Sequence, residues 1–203
     1  KLKRGKIMPN WTDNTLVITG TGEHLDKLLK KITTDNSDPN DIQYNFTNCF
    51  PRPDIFKTIH QGSRDFDGVR VDAWYEDSEG ARPMLDIRKE ELIEKYGTYK
   101  VIDWQYANWG TKWGDCDTEV FRNNAGKKVI TFQSAWGPPW RLLHDIAIKY
   151  EIEIIDMVQY EFEEGTDIDK YPMPSEVYDK HIDDFKKSQE QINKMTGITE
   201  LID

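Results

Sequence analysis

The chain has 203 residues, 37% hydrophobic and 32% charged, with 27 Lys and Arg against 37 Asp and Glu and a net charge of −10. That length allows one elaborated domain or two small ones, with a core that needs no covalent staples. The 12% aromatic content, including seven Trp, excludes a disordered chain, and the acidic balance disfavours a nucleic-acid backbone as partner.

Met8-Pro9 reads as a natural start, so the basic segment Lys1 to Ile7 is set aside from fold reasoning. Leu16-Val17-Ile18-Thr19 is β-branched and reads as a strand that Gly20 and Gly22 end. Leu25, Leu28, Leu29 and Ile32 recur at helical spacing and predict an amphipathic helix over 23–33. After the polar loop Asp35 to Asp41, the alternation from Ile42 to Phe46 predicts a second strand, which completes a β-α-β unit. Residues 54–82 are less regular, with a short strand at Val69 to Val71. Leu85, Leu92 and Tyr96 share one helical face, and Gly97 stands where a C-terminal cap belongs. This middle part reads as an insertion at about 54–98.

An aromatic-dense stretch follows, with Trp104, Tyr106, Trp109 and Trp113 within ten residues. Val120-Phe121 and Val129 to Phe132 predict strands joined through Asn123 to Gly126. Pro138 and Pro139 suit a first helical turn, and Trp140, Leu143, Ala147 and Ile148 mark a helix over about 139–149. A strand from Ile152 towards Phe162 completes a second β-α-β unit. The predicted fold is α+β, a ferredoxin-like α/β sandwich with an antiparallel sheet and helices on one face. It would occupy residues 8–165 as a single domain with the middle insertion. Residues 166–203 would add a helical extension, with an apolar stripe of Val177, Tyr178, His181, Ile182, Phe185, Ile192 and Met195 expected to dock on the domain.

Four blocks in order resemble a known family. They are Met8-Pro9-Asn10-Trp11 with Asn14 to Gly20, Asn48-Cys49-Phe50-Pro51-Arg52-Pro53, Asn108-Trp109-Gly110-Thr111-Lys112-Trp113, and Phe132-Gln133-Ser134-Ala135-Trp136-Gly137-Pro138-Pro139. Their order and spacing are similar to the YubB-like proteins of plasmids and phages across most of residues 8–165. The resemblance implies a mobile-element origin and a ferredoxin-like domain. It implies no reaction and carries over no catalytic residue.

Each motif has a packing reading beside a functional one. Trp109 and Trp113 with Lys112 between them suit stacking of an aromatic group with a phosphate held by the lysine, or a tight turn anchored by buried indoles. Ser134 to Trp140 leads from strand to helix, but its prolines remove the N–H donors that an anion needs. Trp136 facing Trp109 or Trp113 would build one aromatic surface. His24, His60, His144 and His181 show no ligand spacing, and no CxxC pair exists, so neither a metal nor another cofactor is expected. Cys49 and Cys116 read as free thiols of a reducing compartment. Asp115 and Asp117 beside Cys116 would hold its thiol protonated and inert. Glu161, Glu163, Glu164, Asp167 and Asp169 read as a solvated acidic face.

With no complete catalytic motif, the expectation is a non-enzymatic phage or mobile-element accessory protein. It would be soluble in the host cytoplasm and bind a host protein with a basic surface. The candidate binding residues are Trp109, Lys112, Trp113, Trp136 and Trp140. The alternatives are a nucleic-acid-binding ferredoxin-like module and an enzyme without a recognisable motif. No apolar run approaches the ~20 residues of a membrane span.

Overall fold

Strand β1 (Trp11–Thr19) sets the frame, because its alternate residues Thr12, Asn14, Leu16 and Ile18 are buried while the residues between them are more open. In a computed structural model that describes residues 10–34, 43–124 and 126–196, this strand lies inside a seven-stranded antiparallel sheet. Helix α1 (Gly22–Ile32) follows, capped by the Thr21 hydroxyl accepting from the His24 N–H. Strands β2 (Thr33–Thr34) and β3 (Gln43–Tyr44) are two residues each. The middle of the chain gives α2 (Ile55–Thr58), β4 (Ile59–Phe66), β5 (Val69–Asp77), β6 (Gly80–Pro83), α3 (Asp86–Tyr96) and α4 (Val101–Trp109). Then come β7 (Cys116–Asn124), β8 (Lys127–Ala135), α5 (Trp140–Tyr150), β9 (Glu153–Tyr160) and β10 (Asp167–Tyr171). The large sheet runs β10-β9-β1-β8-β7-β3-β2, and β4-β5-β6 form a second, three-stranded sheet.

The protein is therefore α+β, with the core on one face of the large sheet. Leu16, Ile18, Ile130, Phe132, Ile154 and Val158 supply the sheet side, and Leu25, Leu28 and Ile32 of α1 with Leu142, Leu143 and Ile146 of α5 supply the helical side. Each such side chain contributes on the order of 1.5–3 kcal/mol on burial. The opposite face stays open in places, with Ile155, Met157 and Ile168 exposed. A second compact unit, 172–203, contains helix α6 (Ser175–Thr196), 22 residues long. Within its predicted apolar stripe, the side chains of Phe185, Ile192 and Met195 lie outside the description. No helix among the described residues is long and apolar enough to cross a membrane.

Several elements differ from the sequence reading. Of the strand expected over 42–46, Ile42 lies outside the described residues, only Gln43–Tyr44 is extended, and Phe46–Cys49 turns as a 3-10 helix. The Asn45 side chain accepts from the Thr47 N–H at 2.8 Å, and the buried Asp115 carboxylate accepts from the Phe46 N–H at 2.7 Å and the Thr47 N–H at 3.3 Å. Side-chain acceptors thus capture donors that a strand would have used. The strand that runs beside β8 is β7, in keeping with the strands expected at Val120-Phe121 and Val129 to Phe132. The irregular middle contains the β4–β5 hairpin, closed by Asp67-Gly68 with φ of 52° and 85°, the two left-handed residues of a two-residue primed turn. Helix α3 and its Gly97 cap are as predicted, with the Gly97 N–H bonded to Ile93 O at 2.8 Å.

One core position is a carboxyl group. Asp156 in β9 is fully buried, pairs in register with Asp169 of β10, and has no side-chain hydrogen-bond partner for either oxygen among the described residues. Burial first, and the charge of Asp169 second, push its pKa up to about 7. The folded state therefore holds this proton more tightly than the unfolded chain. Its contribution to stability is intact below pH 4 and is lost as pH rises towards 7, a swing of roughly 2–4 kcal/mol. Asp156→Asn is expected to flatten that slope, gaining stability over the parent as pH rises from 4 to 8. Urea unfolding at pH 4, 6 and 8 measures it; parallel pH profiles for the two proteins would refute it.

Candidate aromatic binding surface

The segment between α4 and β7 is built by close approaches that only small residues permit. Gly110 ends α4 with φ of 81°, and a Cβ there would meet Trp140 Cδ1 and Nε1 at 2.8 Å and the Arg141 N at 3.1 Å. Gly114, with φ of 78°, would bring a Cβ to 2.3 Å from Thr47 Cγ2. Between them the buried Thr111 donates its hydroxyl to Ala135 O at 2.8 Å, which ties this loop to the end of β8. Lys112 and Trp113 are carried outward on that support.

The predicted site residues separate into two groups. Trp109 is buried, donates its Nε1–H to Phe50 O at 2.9 Å, and meets Trp104 edge-on with ring centroids 5.6 Å apart. It is a core anchor, and so is half-buried Trp140, which lies against Gly110. Trp113 and Trp136 are 40% and 51% exposed, and the Lys112 ammonium lies 4.7 Å from the centroid of each ring. The lysine therefore bridges two exposed indoles by cation–π attraction, worth about 0.5–1 kcal/mol per contact at an exposed site. Tyr106 stacks near Trp136 at 6.4 Å, and burial raises its hydroxyl pKa to about 12.

Trp136 also has a strained backbone. Its φ is 68°, in the left-handed region that costs a bulky residue roughly 1–2 kcal/mol. The conformation is held by the Trp136 N–H donating to Asn10 O at 2.8 Å and by the Ser134 hydroxyl donating to Gly137 O at 2.8 Å. Asp67, Asp117 and Glu151 also have positive φ among the described residues, but Trp136 is the bulkiest of the four and the costliest to hold there.

Sequence reasoning passed over Trp11. Its ring lies 5.8 Å from that of Trp113, its backbone N–H donates to Glu161 Oε2 at 2.9 Å, and the Glu161 backbone N–H returns a bond to Trp11 O at 3.1 Å. The sequence reading began this strand at Leu16, and the pairing of Trp11 with Trp113 spans about a hundred residues, so no local signal pointed to it. The acidic residues expected to be solvated are exposed at Glu161, Glu163, Glu164 and Asp167, whereas Asp169 is half-buried.

Among the described residues no three His, Cys, Asp or Glu side chains are grouped to hold a metal ion. Burial, then Asp115 and Asp117, raise the Cys116 pKa, and burial raises that of Cys49 to about 11, so both thiols are held protonated. Burial lowers the pKa of His144. His60 stacks on Trp74 at 4.0 Å, and His24 lies 3.9 Å from Glu151.

No family model matches the sequence, and no curated protein matches it. Among solved structures, the fold is similar to the crystal structure of protein api92 from Yersinia pseudotuberculosis, whose family model is DUF1281. The TM-score is 0.44 at 10% identity, over 81% of this chain and 94% of that one.

The Gly110 geometry predicts its own test. Gly97 has a similar φ of 78° but open space around it, whereas Gly110 is packed. Gly97→Ala is expected to cost about 1 kcal/mol of backbone strain, and Gly110→Ala at least about 2 kcal/mol more, from the clash with Trp140. Chemical denaturation of both variants checks this; equal losses would refute the close-packing account.

Proposed function

We propose that this chain is a non-enzymatic accessory protein of a phage or related mobile element, binding a host protein in the cytoplasm through the surface formed by Trp113, Lys112 and Trp136. The observation that carries the reading is Trp136, an indole half exposed to water and kept in a left-handed conformation. Indoles are favoured at the centres of protein interfaces because they bury a large rigid area at little entropic cost. Trp11, Trp113 and Trp136 stand close enough to act as one anchor group, while the net charge of −10 favours a basic partner.

The mobile-element origin rests on the resemblance to YubB-like proteins described above. The strand order β9-β1-β8-β7, with α1 after β1 and α5 between β8 and β9, supports a ferredoxin-like reading of the central sheet. In this reading the segment from α2 to α4 is an insertion between α1 and β7.

The Lys112 bridge favours one other reading, in which the two indoles stack bases of a single strand while the lysine meets phosphate. Acidic Glu161 and Glu163 near Trp136 oppose it. Binding of single-stranded RNA or DNA that falls steeply with salt would support the nucleic-acid reading over the protein one.

Trp136→Gly separates function from folding. Removing the ring relieves the backbone strain, so unfolding free energy is expected to change by less than about 1 kcal/mol. Capture of the partner from host lysate is expected to fall at least tenfold, and Trp113→Ala is expected to act in the same direction. Partner capture unchanged in both folded variants would refute the proposed surface.

A further inference from the structure

Beside Trp136 is a cleft of about 190 Å³ lined by Trp11, Trp136, Tyr160, Phe162, Glu161 and Glu163. A neighbouring cleft of about 270 Å³ shares Trp11, Tyr160, Glu161 and Glu163 and adds Asp13. Four aromatic rings and three carboxylates thus line one connected region. No lysine or arginine is among the described lining residues. Phe162 is 75% exposed and Trp136 51% exposed, so two of the lining rings are open to water. The floor is fixed rather than loose: the reciprocal Trp11–Glu161 hydrogen bonds join the two walls, and Gln133 Nε2 donates to Asp13 Oδ1 at 2.8 Å.

We infer that this cleft is the receptor for an arginine side chain of the protein partner, which deepens the docking reading above and rests on it. Aromatic faces attract cations through the negative potential above each ring. Carboxylates at the rim repel phosphate and carboxylate ligands and add charge-assisted hydrogen bonds to a cation. A guanidinium matches this combination better than an ammonium. It is planar and stacks on indole, it is weakly hydrated, and its fork of donors suits a site with more than one carboxylate, as here where Glu161 and Glu163 both line the cleft. The local precedent is Lys112, whose ammonium already lies over the Trp136 ring just outside the cleft.

The test uses the full chain with nitrogen-15-labelled tryptophan, which gives one indole N–H signal for each of the seven Trp. Trp11→Phe and Trp136→Phe assign two of them. N-acetyl-arginine amide, its lysine counterpart and its neutral citrulline counterpart are titrated into the low millimolar range. The arginine compound is expected to shift the Trp11 and Trp136 signals to saturation. Glu161→Gln combined with Glu163→Gln is expected to weaken that response about tenfold, since each substitution keeps shape and removes charge. Equal binding of the citrulline or lysine compound would overturn the assignment, as would an unchanged response in the double variant or no saturable shift with arginine. Partner capture that still depends on Trp136 while the arginine titration fails would overturn this inference alone. Saturable arginine binding with partner capture indifferent to Trp113 and Trp136 would overturn both the docking surface and the assignment of the cleft to the partner's arginine.

Discussion

The contact on which the exposed surface depends is the one between the Gly110 backbone and the Trp140 indole. Only a residue without a side chain lets the end of α4 come this near to the start of α5, and the left-handed turn that follows reverses the chain. Thr111 then bonds to the end of β8, and Gly114 passes against Thr47 before β7 begins. Four separate elements meet at this corner. Lys112 and Trp113 leave it towards Trp136, whose own position is set by the same end of β8. The aromatic surface is therefore rigid because a buried corner beneath it is tightly packed, and the buried Trp109 is part of that support.

The seven tryptophans divide the labour by burial. Trp104 and Trp109 fill the interior, Trp11, Trp74 and Trp140 are half-buried, and Trp113 and Trp136 face solvent. Ring content alone does not distinguish these roles, because an indole gains from burial wherever a pocket exists. What separates them is the use of the indole N–H and the backbone beneath the ring. Trp109 satisfies its N–H on the Phe50 carbonyl inside the protein, while Trp136 accepts a strained φ and a cation from Lys112. Burial without a partner has the opposite character at Asp156, where a carboxyl group in the core makes the stability of the sheet depend on pH.

Much of the architecture was legible wherever the hydrophobic period was strong. The β-branched run Leu16 to Thr19 in β1, the 3.6-residue repeat in α1 and α5, and the Gly97 stop of α3 each express a local preference that packing then reinforced. The β4–β5 hairpin was harder to see because its strands are mostly exposed and polar, although Asp67-Gly68 is a direct turn signal. Helix α4 was hidden by its ring-rich composition, which leaves no polar face to reveal a period. The strand expected over 42–46 yielded to Asp115, a hydrogen-bond acceptor nearly seventy residues away.

By itself, the sequence determined which residues had to be covered and where the chain had to turn, since hydrophobic period, proline and glycine act within a few neighbours. It also placed Lys112, Trp113 and Trp136 among the candidates by composition. Only the tertiary structure decided that Trp109 and Trp140 belong to the support, that Trp11 joins Trp113, and that Glu161 and Glu163 close the cleft beside Trp136. The physical reason is distance along the chain. Ring stacking, cation–π contact and cleft formation act between groups separated by tens to more than a hundred residues, and no local preference encodes which of them will meet.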